Sequence, residues 1–340
     1  MLEDFMPDII EQTTLYKIRQ IELAEAEYYE QLIKVLDKIE EDITSLVGKT
    51  LNTEDGKLLR EARLSLALQP QIKAILEKEY LPWADKVVRE GFNKQAKRVE
   101  RAFKKMKRIP KEFQELTKGD LALIRNLKQQ SFTQFKDVAN TFTRTLQSKV
   151  YQNVLLGNDF TVLEQELRQA INGIYASAKD PEIQKLVNKI KRDEVRLKKL
   201  NRRTTKAKTL KKTIDKSVQT LQTKFASDRA GENMKRYAGQ ILNDSLREFD
   251  ATLTANKASE AELTHFKYYG NVIPTTRRHC AFLVRRGKLF TIDEVKRLGR
   301  ANWTGKKPGD QLIVRGGYNC RHQWSPVDPE WFNKDGELTF

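Results

Sequence analysis

Apolar residues recur at intervals of three and four along most of this chain, the period of one face of an α-helix. From Ile18 to Leu46 the stripe reads Ile18, Ile21, Tyr28, Leu32, Val35, Ile39, Ile43 and Leu46, and Gly48 is expected to stop it. A second helical tract runs from about Leu58 toward Ile109. Breaks are expected near Pro70 and Pro82, because proline lacks the backbone donor and restricts its predecessor; Pro110 closes the tract. Thr117, with Asp120 three residues on, signals the start of the clearest helix, whose apolar face passes through Ile124, Phe135, Phe142 and Val150 to Gly157. Phe160 to Ile174 reads as a shorter helix and Ala176 to Pro181 as a turn.

Ile183, Val187, Ile190 and Leu197 are followed by a polar break at Asn201 to Thr205, and then by Leu210, Ile214, Val218, Leu221 and Phe225. Two amphipathic arms around a polar tip predict an antiparallel helical hairpin. A helix over Ala226 to Leu253 follows, with the pattern expected to break at Asn256 to Ser259. Beyond Ala261 the texture changes. Half of the 16 glycines fall there, and β-prone pieces at Phe266 to Tyr269, Lys288 to Thr291 and Leu312 to Val314 alternate with turns. The fold class read from this pattern is mainly α: an elongated helical bundle with a helical hairpin and a small C-terminal α+β domain. Its divisions are an N-terminal helical region (1–112), a central long-helix region (113–182), the hairpin with its connecting helix (183–258) and the terminal domain (259–340).

Charge sharpens this division. The 340 residues carry 63 Lys and Arg against 46 Asp and Glu, a net +17, but the excess is local. Residues 1–60 net −7, residues 94–111 net +8 and residues 185–224 net +12. Cations clustered on a hairpin suit a polyanion, because neutralising phosphates releases counterions without reading sequence. Lys198, Lys199, Arg202, Arg203, Lys206, Lys208, Lys211 and Lys212 form the candidate surface for DNA or an acidic partner. Few aromatics are interleaved, which favours backbone contact over base stacking. The same charge also suits a solvated face, and that is the expected role of residues 94–111, whose apolar stripe is Val99, Ala102, Phe103 and Met106.

No apolar run approaches the about 18 residues of a membrane span, and the first twenty residues have no secretory pattern, so a cytoplasm-like compartment is expected. The rare residues lie late: His265, His279 and His322, Cys280 and Cys320. Cys and His are zinc ligands. Cys280, Cys320 and His322 are the candidate set, with His265 or His279 as fourth ligand and structural zinc as the candidate cofactor. The alternatives are two thiols packed in a small core, a disulfide, which a reducing compartment disfavours, or a hydrolytic site using His279 and His322 with Arg277 or Arg321. Trp303, Trp324 and Trp331 are expected to build the terminal domain's core or docking face, and Trp83 to pack between helices.

The run Thr276-Arg277-Arg278-His279-Cys280, then RGKLFT (Arg286 to Thr291), then Trp303-Thr304-Gly305, then GGYNCRHQWSPV (Gly316 to Val327) resembles the C-terminal signature of tailed-phage minor head proteins of the Mu F-like head morphogenesis class. Arg236 to Asp250 resembles that family's last long helix, and the resemblance covers about residues 226–328. Arg277, Cys280, Gly316, Gly317, Cys320, Arg321 and His322 occupy the family motif, with His279 at a variable position of it. The resemblance implies a non-enzymatic virion protein inside the head. It would sit on the portal protein in several copies, assist assembly with major capsid or scaffold proteins or the packaging of genomic DNA, and leave with the genome at ejection. Assembly would take place in the host cytoplasm. The opposed reading is a nuclease or cell-directed effector. Related toxins carry an effector domain after this module, and with thirteen residues after Val327 none is expected here.

Overall fold

A computed structural model describes residues 9–104, 111–173, 181–200, 204–227 and 232–331. Met106, Ile109, Pro110, the turn expected before Pro181, and Arg202 and Arg203 of the expected hairpin tip lie outside these residues, as do the side chains of Lys198 and Trp331.

The chain is mainly helical with a small three-stranded sheet. Helix α1 (Ile9–Thr50) runs through Gly48 instead of stopping there. A Cβ at Gly48 would lie 3.3 Å from the Phe160 ring, so the glycine makes room for a neighbour. A short hairpin of β1 (Thr53–Glu54) and β2 (Lys57–Leu58) turns at Asp55 and Gly56, both at positive φ, and leads to α2 (Ala62–Ala67) and α3 (Gln69–Lys86). Pro70 falls in the first turn of α3, where its missing donor costs nothing. Pro82 lies inside α3 without ending it; the helix passes into a π-helical turn (Val87–Gly91) and then α4 (Phe92–Lys104). After α5 (Lys111–Gln114), α6 (Lys118–Leu156) carries the expected box: the Thr117 hydroxyl accepts from the Asp120 N–H, the Asp120 carboxylate from the Thr117 N–H, and Gly157 closes the helix at φ 64°. Next comes α7 (Phe160–Asn172).

Helices α8 (Pro181–Lys199) and α9 (Thr205–Ser227) pack on each other as a hairpin, and α10 (Met234–Glu260) follows. The break expected at Asn256 to Ser259 does not occur. Tertiary bonds override the local pattern: Lys257 Nζ reaches Asp120 at 3.0 Å and Asn256 reaches the same carboxylate at 2.8 Å. The terminal segment comprises β3 (His265–Tyr269), α11 (Arg278–Arg286), β4 (Leu289–Thr291), α12 (Ile292–Leu298), α13 (Gln311–Val314) and β5 (Gln323–Val327). Leu312 to Val314, expected as β, is instead a helical turn capped by Asp310. The third strand comes from Gln323 to Val327, with Pro326 opposite Phe266 on an edge strand, where its missing N–H is harmless. Strand order is β4-β3-β5, antiparallel throughout.

One apolar core runs from Ile18 to Val327. Helix α1 packs against α3, α7, α10 and β5, while α6 packs against α3, α7 and α10. Trp83 takes its expected place between helices: its indole N–H donates to the Tyr28 carbonyl at 3.0 Å, and its ring meets Phe135 edge-on at 5.4 Å.

Candidate functional site

The motif residues lie on separate turns that the small sheet draws together. Cys280 sits in the first turn of α11, while Cys320 and His322 lie on the extended approach to β5. Their donor atoms all fall within 4.8 Å of one another, and all three residues are buried. From the middle of β3, the Tyr268 hydroxyl reaches both sulfurs, at 3.6 Å from Cys280 and 3.4 Å from Cys320, and the Gly316 N–H donates to Cys320 Sγ at 3.3 Å. His322 Nδ1 lies 3.8 Å from Cys320 Sγ, and the ring stacks on Tyr268.

The two thiols are not equivalent. Burial raises the Cys320 thiol, but hydrogen bonds from Cys280 and His322, the His322 charge and nearby Arg315 outweigh it and hold it well below the usual range. Cys280 is pushed up, first by its hydrogen bond to Cys320 and then by burial. Cys320 is thus the more acidic thiol of the pair.

Zinc bonds of about 2.3 Å to sulfur and about 2.0–2.1 Å to nitrogen separate neighbouring tetrahedral ligands by about 3.5–3.8 Å. The Cys320–His322 spacing meets that condition. The other ring nitrogen, His322 Nε2, is buried and has no hydrogen-bond partner among the described residues. Cys280, Cys320 and His322 therefore form a group able to hold a metal ion. Neither expected fourth ligand joins it. His279 stacks on Trp303 at 3.9 Å and is lowered chiefly by burial, while His265 sits at the start of β3 and bonds the Thr264 hydroxyl.

The remaining motif residues fix the backbone around this group. Arg277 donates to the Thr304 and Tyr318 carbonyls at 3.0 and 2.5 Å, tying the start of α11 to the glycine loop. A Cβ at Gly316 would overlap the Cys280 sulfur, and Gly317, at φ 98°, lies so close to the Gly305 carbonyl that no side chain fits. Trp303 donates to the Gly316 carbonyl at 2.9 Å, and Trp324 is a core ring.

Arg321 points the other way, into α1. Its guanidinium bonds Glu25 at 3.0 and 3.1 Å and also pairs with Glu22; Arg247 of α10 pairs with the same two carboxylates. Desolvation works against the Arg321 charge, but Glu22 and Glu25 more than offset it and hold the proton more firmly. Beside them, Asp244 accepts from the Asn319 N–H and the Asn243 amide, both at 2.8 Å. Burial pushes Asp244 up to about 6, with Glu248 adding to the shift. Lys17 extends the network along the α1–α10 seam to Asp250 at 3.0 Å and Thr254 at 3.1 Å.

No family model, curated protein or solved structure matches this chain.

The basic hairpin is anchored by its own carboxylates. The stretch from 185 to 224 has three, Asp193, Glu194 and Asp215. Arg19 of α1 takes Glu194 at 3.3 Å and Asp215 at 3.1 Å, and Gln20 adds a bond to Glu194. Lys199, Lys206, Lys208 and Lys212 are exposed and Lys211 is half-buried. In the other basic stretch, α4 buries Val99, Ala102 and Phe103 as expected, and Arg98 donates to the Gln20 carbonyl. No described helix is long and apolar enough to cross a membrane.

Sequence reasoning missed Tyr268, Arg247, Asp244, Glu22 and Glu25. One signal was present. Asp244, Arg247 and Asp250 recur at intervals of three within a helix apolar on both sides, which places charge inside a packed element.

Proposed function

We propose that this chain is a minor head protein of the Mu F-like class, with a metal-stabilised knot at its C-terminal end. The observation that supports this reading is what the motif residues do. Arg277, Gly316 and Gly317 shape the backbone, Cys280, Cys320 and His322 form a buried three-donor set, and Arg321 binds α1. Each has a packing or docking duty, as suits a module built to hold a shape within an assembly. The hydrolytic alternative needs His279, His322, Arg277 or Arg321 free to meet substrate, and these groups are stacked, buried or engaged with protein partners.

In this reading the ion is a structural zinc, held by Cys280, Cys320 and His322 with its fourth position taken by a donor outside this set. The hairpin, with Glu194 and Asp215 turned onto α1, presents its lysines to packaged DNA or to an acidic surface of the portal. The natural partners are then the portal protein, the major capsid or scaffold proteins and the genome, and the protein enters the head during assembly in the host cytoplasm.

Peptide mass spectrometry on DNA-filled particles from the source cell tests the reading. The expected result is this chain inside the head, protected from protease until the particle is opened. Its absence from purified particles overturns the proposal. Cleavage of DNA or RNA by the purified protein with Mg²⁺ or Zn²⁺, lost in His322→Ala, would establish the enzymatic reading instead.

A further inference from the structure

Helix α11 has an outer face that nothing else in the described chain uses. Arg278, Phe282, Arg285 and Arg286 stand at i, i+4, i+7 and i+8, which places them on one side of the helix, and all four are exposed. They border a cleft of about 860 Å³ whose opposite wall is Val272, Ile273 and Pro274. Phe282 is 52% exposed. The three guanidiniums form no ion pair among the described residues, and no carboxylate lines the cleft. Nearby arginines behave differently: Arg277 is fastened to two carbonyls, and Arg247 and Arg321 to two carboxylates.

We propose that this cleft is a docking site for an acidic segment of a partner protein that inserts an apolar side chain between Phe282 and the Val272–Pro274 wall. Guanidinium groups match carboxylates with paired hydrogen bonds, and an apolar anchor flanked by charge is the usual form of such an interface. The apolar part of the cleft favours a protein segment over nucleic acid, since a phosphate backbone would engage the arginines and leave Phe282 and the Val272–Pro274 side chains uncovered. Stacking single-stranded bases needs open aromatic faces, whereas Phe282 is the one aromatic ring lining this cleft among the described residues, and the Arg286 guanidinium already lies over it at 5.5 Å. The facing wall is aliphatic and suits Leu, Ile or Phe. The site shares no residue with the metal group, so it stands or falls separately from the head-protein reading.

The test is selection of short random displayed peptides on the immobilised full chain, with counter-selection on the Arg285→Glu/Arg286→Glu variant. Enriched peptides should place Asp or Glu around an apolar residue. Their affinity, measured by fluorescence anisotropy, should weaken by about tenfold or more in that variant and in Phe282→Ala, and also when the peptide's apolar anchor becomes Ser. All substituted positions are exposed, and melts coinciding with the wild type show that the fold is kept. Failure to enrich any peptide, enrichment without acidic bias, or affinities unmoved by both variants overturns the proposal. So does tighter binding of a dT oligonucleotide than of any selected peptide, lost in Phe282→Ala, which would make the cleft a nucleic-acid site.

Discussion

Arg321 and Glu25 lie 296 residues apart in sequence and face each other through two parallel hydrogen bonds of 3.0 and 3.1 Å. This fork joins the C-terminal motif to the first long helix inside the protein, where Glu22 and Glu25 are fully buried.

Removing one partner leaves charge stranded. Arg321→Ala should lower unfolding stability by about 3–5 kcal/mol, because two buried carboxylates then share Arg247 alone. Arg321→Lys should recover little, since an ammonium cannot reproduce the planar fork. Pairing Arg321→Met with Glu25→Gln should cost less than Arg321→Ala alone. Urea denaturation of the four proteins gives the answer, and an Arg321→Ala midpoint equal to wild type refutes the latch.

Metal content checks the knot. Protein purified without a histidine tag should carry one zinc per chain and lose both zinc and thermal stability in Cys280→Ser, Cys320→Ser and His322→Ala. Gly316→Ala should have a similar effect with all three ligands present, because the added methyl overlaps the Cys280 sulfur. Zinc well below one per chain after reconstitution would leave the group as packed thiols.

Asp244 sets a pH dependence of unusual sign. Its carboxyl titrates at about 6 in the folded protein against 3.8 ordinarily, so between these values the native state holds the extra proton. Stability contributed by this group is full below about pH 4 and falls as pH rises through 6, a loss of about 3 kcal/mol at most. Asp244→Asn keeps an acceptor for the Asn319 N–H and carries no proton to lose. Urea midpoints from pH 4 to 7 should therefore fall less steeply, or rise more steeply, in the variant; parallel curves would contradict the assignment.

DNA binding by the hairpin should be a salt-dependent, sequence-blind interaction. Replacing Lys199, Lys206, Lys208 and Lys212 with Ala should weaken duplex binding and flatten the plot of log K against log salt by about 0.9 per lost phosphate contact. An unchanged slope in fluorescence anisotropy would assign those lysines to solvent.

The local grammar of the fold was readable in the chain, and its long-range chemistry was not. The Thr117–Asp120 box and Gly157 mark both ends of α6 because capping is decided within a few residues. The convergence of Cys280, Cys320 and His322 was legible because Cys and His are scarce in this chain and all of them lie late in it. Gly48 and Asn256 to Ser259 misled because neighbours distant in sequence, Phe160 and Asp120, decide those positions. Short apolar runs do not distinguish strand from helical turn, which is why Leu312 to Val314 and Gln323 to Val327 were misread or passed over. Nothing in the acidic N-terminal stretch marks Glu22 and Glu25 as internal, and no spacing rule connects them to Arg247 and Arg321.

The same fork governs the order in which the protein can be completed. A ribosome delivers Glu22 and Glu25 early, but their partners emerge 225 and 296 residues later. Until these arginines emerge the carboxylates cannot be buried without cost, so α1 stays solvated or finds temporary cover, and its full docking waits for Arg247 and then Arg321. A nascent chain cut short before Arg321 lacks one of the two cations that close this seam and is destabilised by the charge left uncompensated.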